Sequence, residues 1–186
     1  MALSRQKPAT YEDLLAVPDL LLAEIINGVL YTQPRPAPRH ARAASSLGDE
    51  LVSPFDKGRG GPGGWWILDE PELHLGMDIL VPDLAGWRRE RMPKLPEGAF
   101  FELAPDWVCE VLSPGSARQD RVLKMPIYAG QGVQHIWLVE PILRTLEVFE
   151  NRPDGWLLLG AFENDAAVSI APFDAITFDL GMLWAD

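Results

Sequence analysis

Trp107-Val108-Cys109-Glu110-Val111-Leu112-Ser113-Pro114 is the stretch on which the fold turns. Seven of its eight residues suit a buried strand and its exit turn. The exception is Glu110, a carboxylate inside an apolar run. An unpaired buried charge is costly, so such a group is neutralised, paired or bound to a metal. Alternation puts Val108, Glu110 and Leu112 on one face of the strand and Trp107, Cys109 and Val111 on the other. A second stretch repeats the oddity. Ile79-Leu80-Val81-Pro82-Asp83-Leu84-Ala85-Gly86-Trp87 reads as another oily strand with Asp83 inside it.

Around these strands, the 186-residue chain is expected to form one domain over 1–186, with residues 1–9 a flexible tail. The single cysteine, Cys109, cannot close an internal disulfide, which fits a reducing compartment, and it reads as a small buried apolar residue. Neither a leader segment nor an apolar run of membrane-spanning length is visible. The expectation is a soluble, cytoplasmic protein with no membrane partner. The net charge of −11 argues against a molecule whose whole field attracts nucleic acid. A local basic groove stays open, because arginines cluster: Arg35, Arg39 and Arg42 around His40, then Arg88, Arg89 and Arg91, then Arg118 and Arg121 with Lys124. Each cluster can equally be solvated surface charge.

In chain order, Thr10 is a helix N-cap with Glu12 and Asp13 in the first turn, and Pro18 ends that short helix. Asn27-Gly28 between β-prone residues predicts a hairpin with a type I′ turn. Ala43, Leu47, Leu51 and Phe55 fall four apart and predict a helix from about Arg39 to Phe55, opened by His40. The glycine-rich loop 58–64 is not a phosphate cradle, since Trp65-Trp66 follows where Gly-Lys-Ser/Thr would be needed. Strands over 65–69 and 72–75 precede the Asp83 strand. Ser116 to Ala129 reads as a helix, with Pro126 kinking it or dividing it in two. A strand over 135–139, a hairpin around Pro153-Asp154-Gly155 and short strands at 168–170 and 175–178 follow, and 180–184 is expected to close the sheet edge. The order predicts an α/β (α+β) mixed sheet flanked by helices, with an N-terminal helix and hairpin.

If the Asp83 and Glu110 strands are neighbours, their carboxylates converge at a sheet edge. Two converging carboxylates suit Mg²⁺, or Mn²⁺ in its place: a hard cation that keeps several waters. Lys124, on the helix returning across the Glu110 strand, could hold an attacking water and stabilise developing phosphorane charge. His40, at a helix start beside Arg39, could reach a phosphate. Structural pairs are the competing reading: Asp83 with Arg88, Glu110 with Arg118 or Arg121, and Lys124 merely exposed on its helix. His74 and His135 have no spacing that suggests zinc.

The wider pattern is more specific than any one of these residues. Glu24-Ile-Ile-Asn-Gly28, His40, Val81-Pro82-Asp83, Glu110-Val-Leu-Ser-Pro114, Asp120…Lys124…Tyr128-Ala129…Gly132-Val133 and Trp137-Leu138-Val139 occur in that order. This run resembles the Uma-two family of restriction-endonuclease-like proteins in the PD-(D/E)XK nuclease superfamily, over roughly residues 10–150. The resemblance implies a restriction-endonuclease-like core and a Mg²⁺-dependent DNA endonuclease; a homodimer is expected because a double-strand cut needs two sites and the aromatic content offers interface material. It implies Asp83 and Glu110 as metal-binding acids, the Val111 carbonyl as a further ligand, Lys124 and Glu24 as catalytic partners, and His40 at the second helix. Arg39, Arg118 and Arg121 join His40 as expected nucleic-acid contacts. One departure stands out: the superfamily's simplest form carries lysine two residues after the acid, and here that position is Leu112. The alternatives are a nuclease fold kept as a binding or assembly module, and a hydrolase of another phosphodiester such as RNA.

Overall fold

The asparagine-glycine turn forms as its chemistry requires. In the computed structural model, which describes residues 7–185, Asn27 and Gly28 have φ of 52° and 76°, the positive pair of a type I′ turn. It joins β1 (Leu21–Ile26) to β2 (Val29–Pro34), with Ile26 opposite Val29. Ahead of it, α1 (Tyr11–Leu15) starts at Thr10 in a reciprocal capping box with Asp13. Of the expected tail, residues 1–6 lie outside the described residues. The remainder is tied down: Ala9 donates to the Gly28 carbonyl at 2.8 Å.

Two sheets build the body of the fold. The larger has six strands in the order β10-β9-β8-β7-β6-β3. These are β3 (Trp65–Asp69), β6 (Leu84–Arg88), β7 (Trp107–Val111), β8 (His135–Glu140), β9 (Thr145–Arg152) and β10 (Gly155–Glu163). Only β7 and β8 run parallel; the other neighbours are antiparallel. A parallel pair needs a long crossover, and here the crossover carries the helix that bears Lys124. The smaller sheet has the order β2-β1-β5-β4, with β4 (Leu73–Leu75) and β5 (Asp78–Leu80). A third ladder of two residues each pairs β11 (Ala167–Val168) with β12 (Phe178–Asp179).

The faces of β7 divide as the alternation predicts. Trp107, Cys109 and Val111 enter one apolar cluster with Ala43, Leu47, Leu51 and Phe55. Those last four come from α2 (Pro38–Leu51) and the π-helical turn Val52–Asp56 that continues it, and each is at most 1% exposed. Val108 and Leu112 enter a second cluster with Leu73, Leu80, Met125 and Tyr128. The large sheet is thus covered by α2 on one side, and by the small sheet with the crossover helix on the other. Burying each large apolar side chain contributes roughly 1.5–3 kcal/mol, so a strand filled on both faces anchors the whole.

Three expectations need correction. Asp83 is not inside a strand. Val81, Pro82 and Asp83 form the bend where the chain leaves β5 in the small sheet and enters β6 in the large one. Pro82 cannot donate to a ladder, so one continuous strand is broken there. The helix expected over 116–129 is three pieces: α3 (Ala117–Gln119), a π-helical turn Asp120–Lys124, and α4 (Met125–Gly130). Pro126 sits in the first turn of α4, where its missing N–H is tolerated. Finally, Leu180–Leu183 is a 3₁₀ turn capped by the Asp179 side chain, and it packs into the α2 cluster instead of closing a sheet edge.

Candidate active site

Four charged side chains meet at one point. β1 delivers Glu24, β7 delivers Glu110, and the π turn delivers both Asp120 and Lys124. Lys124 is only 2% exposed. Its Nζ lies 2.8 Å from Glu110 Oε1, 2.9 Å from Glu24 Oε1 and 3.5 Å from Asp120 Oδ1. A π turn widens the ladder to i→i+5, here from the Met125 N–H to the Asp120 carbonyl. That turn faces the sheet with Asp120 and Lys124 together.

Each acid is fixed by further partners. Glu24 Oε1 accepts from the Val81 N–H at 2.9 Å, and its Oε2 from Gln119 Nε2 at 3.0 Å. Tyr128 donates its hydroxyl to Glu110 Oε1 at 2.6 Å. Both contacts of Glu110 therefore fall on Oε1; among the described residues none falls on Oε2. Asp83 Oδ2 accepts from the Val111 N–H at 2.7 Å, so its carboxylate extends the β6–β7 ladder one step past the strand. Asp83 Oδ1 lies 3.3 Å from His40 Nε2. Adjacent antiparallel strands thus bring Asp83 and Glu110 to the C-terminal end of β7, in the middle of the sheet and not at its lateral edge.

The electrostatics follow from burial and count. Burial pulls the Lys124 ammonium down, but Glu110, Glu24, Tyr128 and Asp120 together hold it well above its usual value, so it stays charged. Burial drives the Glu110 carboxyl well above the usual range; Lys124 opposes this, while Asp120, Asp83 and Glu24 add to it. The same opposition, burial against Lys124, leaves Asp120 raised. One lysine shared among several acids cannot offset all of them, which is why Glu110 and Asp120 stay raised beside it. For His40, burial acts downward, and contacts with Asp83 and the Val111 backbone outweigh it and raise the imidazole.

A pocket of about 330 Å³ opens over this cluster. His40, Asp83, Glu110, Val111, Asp120 and Lys124 all line it. The side chains there offer carboxylate oxygens and no thiol, the donor chemistry of a hard cation. Among the described residues, no three or more of His, Cys, Asp and Glu form a ready-made metal cage. Two carboxylates, Asp83 and Glu110, with the Val111 carbonyl nearby, suit an ion that retains most of its water.

Not every expected contact converges. Arg39 lines a different pocket, and Arg118 is exposed and lines neither. Arg121 pairs with Glu147 on the surface. The structural pairs of Asp83 with Arg88 and Glu110 with Arg118 or Arg121 do not form; His40 and Lys124 take those places. Leu112 is buried in the apolar cluster beside Tyr128, and the ammonium reaches Glu110 from the crossover instead. Asp120, Gln119, Tyr128 and Arg35 were not among the expected site residues. The i,i+4 spacing of Asp120 and Lys124 was the available signal for the first, whereas Arg35, which lines the pocket and lies 3.7 Å from Glu70, had only its place in an arginine cluster.

No curated protein compared with the chain matches it. Among solved structures, the fold resembles one described as a "putative nuclease belonging to DUF820" from Anabaena variabilis. The two are 23% identical with a TM-score of 0.75, and the match covers 95% of this chain and 98% of that one. A likeness at this identity establishes the fold, a mixed α/β core of the restriction-endonuclease-like kind. Residues 8–181 match the profile of the Uma2 family, described as "Putative restriction endonuclease", and the chain belongs to that family.

Proposed function

We propose that this protein is a Mg²⁺-dependent DNA endonuclease, with Mn²⁺ as a substitute ion. The observation that supports it is the meeting of Asp83, Glu110 and Lys124 at one pocket, with Glu24 bound to that lysine from behind, in a member of this family. Asp83, Glu110 and the Val111 carbonyl would hold the ion. When bound, it would lower the pKa of a water and polarise the scissile phosphate. Lys124 would stabilise charge on the phosphate and orient the attacking water, with Glu24 and Tyr128 keeping the lysine and Glu110 in place. His40 would contact the phosphate next to Asp83. Cutting both strands calls for two such centres, so the reading includes a cytoplasmic homodimer. Among the described residues, no helix is long and apolar enough to cross a membrane.

The test is nicking of supercoiled plasmid by the purified protein in Mg²⁺, in Mn²⁺ and in EDTA, with RNA as a parallel substrate. The expected result is cleavage of DNA that needs the metal and falls at least about a hundredfold in Asp83→Ala and Glu110→Ala. Metal-dependent cleavage that persists unchanged in both variants would sink the assignment.

A further inference from the structure

A second pocket, of about 390 Å³, lies on the other side of the first turn of α2. Arg39, Arg42 and Arg144 line it, with Ile142 and Trp184 as an apolar wall. We propose that this pocket holds a phosphodiester of the nucleic-acid strand flanking the scissile one, an assignment that rests on the nuclease reading above.

Charge is the first argument. The chain has 27 acidic residues and a net charge of −11, yet no Asp or Glu among the described residues lines this pocket. Arg35, Arg89, Arg91, Arg121 and Arg152 all have carboxylate partners; among the described residues Arg39, Arg42 and Arg144 have none, as do Arg59, Arg88 and Arg118, but only the first three share one pocket. Three guanidiniums grouped in an acidic protein repel one another, and a phosphate relieves that repulsion while accepting their hydrogen bonds.

Position is the second. Pro141 and Ile142 directly follow β8, and Val111 ends β7; the two strands are parallel, so both pockets lie at the same end of the pair. His40 lines one pocket and Arg39 the other, on consecutive residues of α2. A strand crossing the end of the sheet at the carboxylate pocket would meet the arginines next. The pocket is also held in shape. Arg144 sits in the left-handed region at φ 54°, with its carbonyl accepting from the Asn164 N–H at 2.9 Å, and Arg42 Nε donates to the Ala185 carbonyl at 3.4 Å. Such anchoring lowers the cost of ordering these side chains around a ligand. Trp184, whose indole N–H is already bonded to the Asn164 carbonyl, presents apolar surface for a sugar or base.

The experiment measures binding without chemistry. Fluorescence anisotropy of labelled duplex and single-stranded DNA in EDTA is followed over a range of salt, for the full chain and for Arg42→Ala/Arg144→Ala. The expected result is affinity weakened about tenfold or more, and a slope of log K against log salt smaller by about 1, for the one phosphate that no longer meets its guanidiniums. Circular dichroism verifies folding, and Arg144→Lys, which keeps the charge, is expected to recover most of the slope. Unchanged affinity and slope in the double variant would overturn the proposal. So would inorganic phosphate that protects the wild type against heat, and not the variant, while DNA affinity is the same in both; the pocket would then serve a free phosphate. Failure of the nuclease reading looks different: the double variant then loses DNA binding in EDTA, yet the wild type never cleaves.

Discussion

Among the described residues two π-helical turns occur, one ending α2 and one between α3 and α4, and they carry charge in opposite ways. Val52–Asp56 holds Pro54 and ends in the buried Asp56. Asp120–Lys124 precedes Pro126 and starts with the buried Asp120. Both show the i→i+5 bond, from Lys57 to Val52 and from Met125 to Asp120. In the first turn one acid has ample compensation: Asp56 takes Arg89 at 3.0 Å, Lys57 at 3.4 Å and the Ile67 N–H at 3.2 Å. In the second, one lysine is shared by Glu24, Glu110 and Asp120. The backbone device is the same; the surplus of negative charge sets the second apart, and the proposed ion would draw on that surplus.

The strongest way to break this contrast is to remove the shared lysine. Lys124→Ala leaves three buried carboxylates without their ammonium, and a loss of about 3–5 kcal/mol is expected in urea denaturation at neutral pH. A variant as stable as the wild type would show that solvent already compensates those acids. Next in size is Asp56→Ala, which orphans the Ile67 N–H and should cost about 1–3 kcal/mol while metal-dependent nicking proceeds at the wild-type rate. Lost nicking in a folded Asp56→Ala protein would erase the distinction between the two turns.

The finest probe is a slope. Glu110 binds its proton more tightly folded than unfolded, so its contribution to stability is complete below the ordinary value of 4.5 and declines as the pH rises through the folded value. His40 has the same sign, with its loss starting above 6.5. Glu110→Gln removes only the first of these. Its stability relative to the wild type should therefore increase with pH from about 4.5 upward. Parallel curves for the two proteins would mean that Lys124 fully neutralises Glu110.

Legibility in the sequence followed distance along the chain. The type I′ turn at Asn27-Gly28, the Thr10 cap and the α2 stripe are local, and each appears where its residues put it. The two faces of β7 were readable because the strand period is two and every residue from Trp107 to Val111 is buried. That Asp83 approaches the Glu110 strand was legible, but its element was misread, since the apolar run around it is continuous while Pro82 breaks the ladder and hands the chain from one sheet to another. The π turns were invisible: over five residues a wider turn leaves the same apolar spacing as an α-helix. Leu112 looked like a gap in the site, and only the crossover geometry shows Lys124 reaching Glu110 from elsewhere. The meeting of Arg144 with Arg39 and Arg42 depends on where β8 ends relative to α2, which no local pattern encodes.

Lys124 touches Glu24 in the small sheet and Glu110 in the large one, at 2.9 and 2.8 Å. It is therefore a fastening between two bodies of structure as well as a charge. Without it, the small sheet loses a buried tie to the crossover, and sub-global opening becomes cheaper than global unfolding. In hydrogen exchange, Lys124→Ala should lower protection first in β1, β2 and β5 while β7 and β8 keep theirs. Uniform loss across both sheets would mean that they open only together. The site would then report on cooperativity: the proposed ion or substrate, by tightening the grip on this lysine, would also couple the opening of the two sheets.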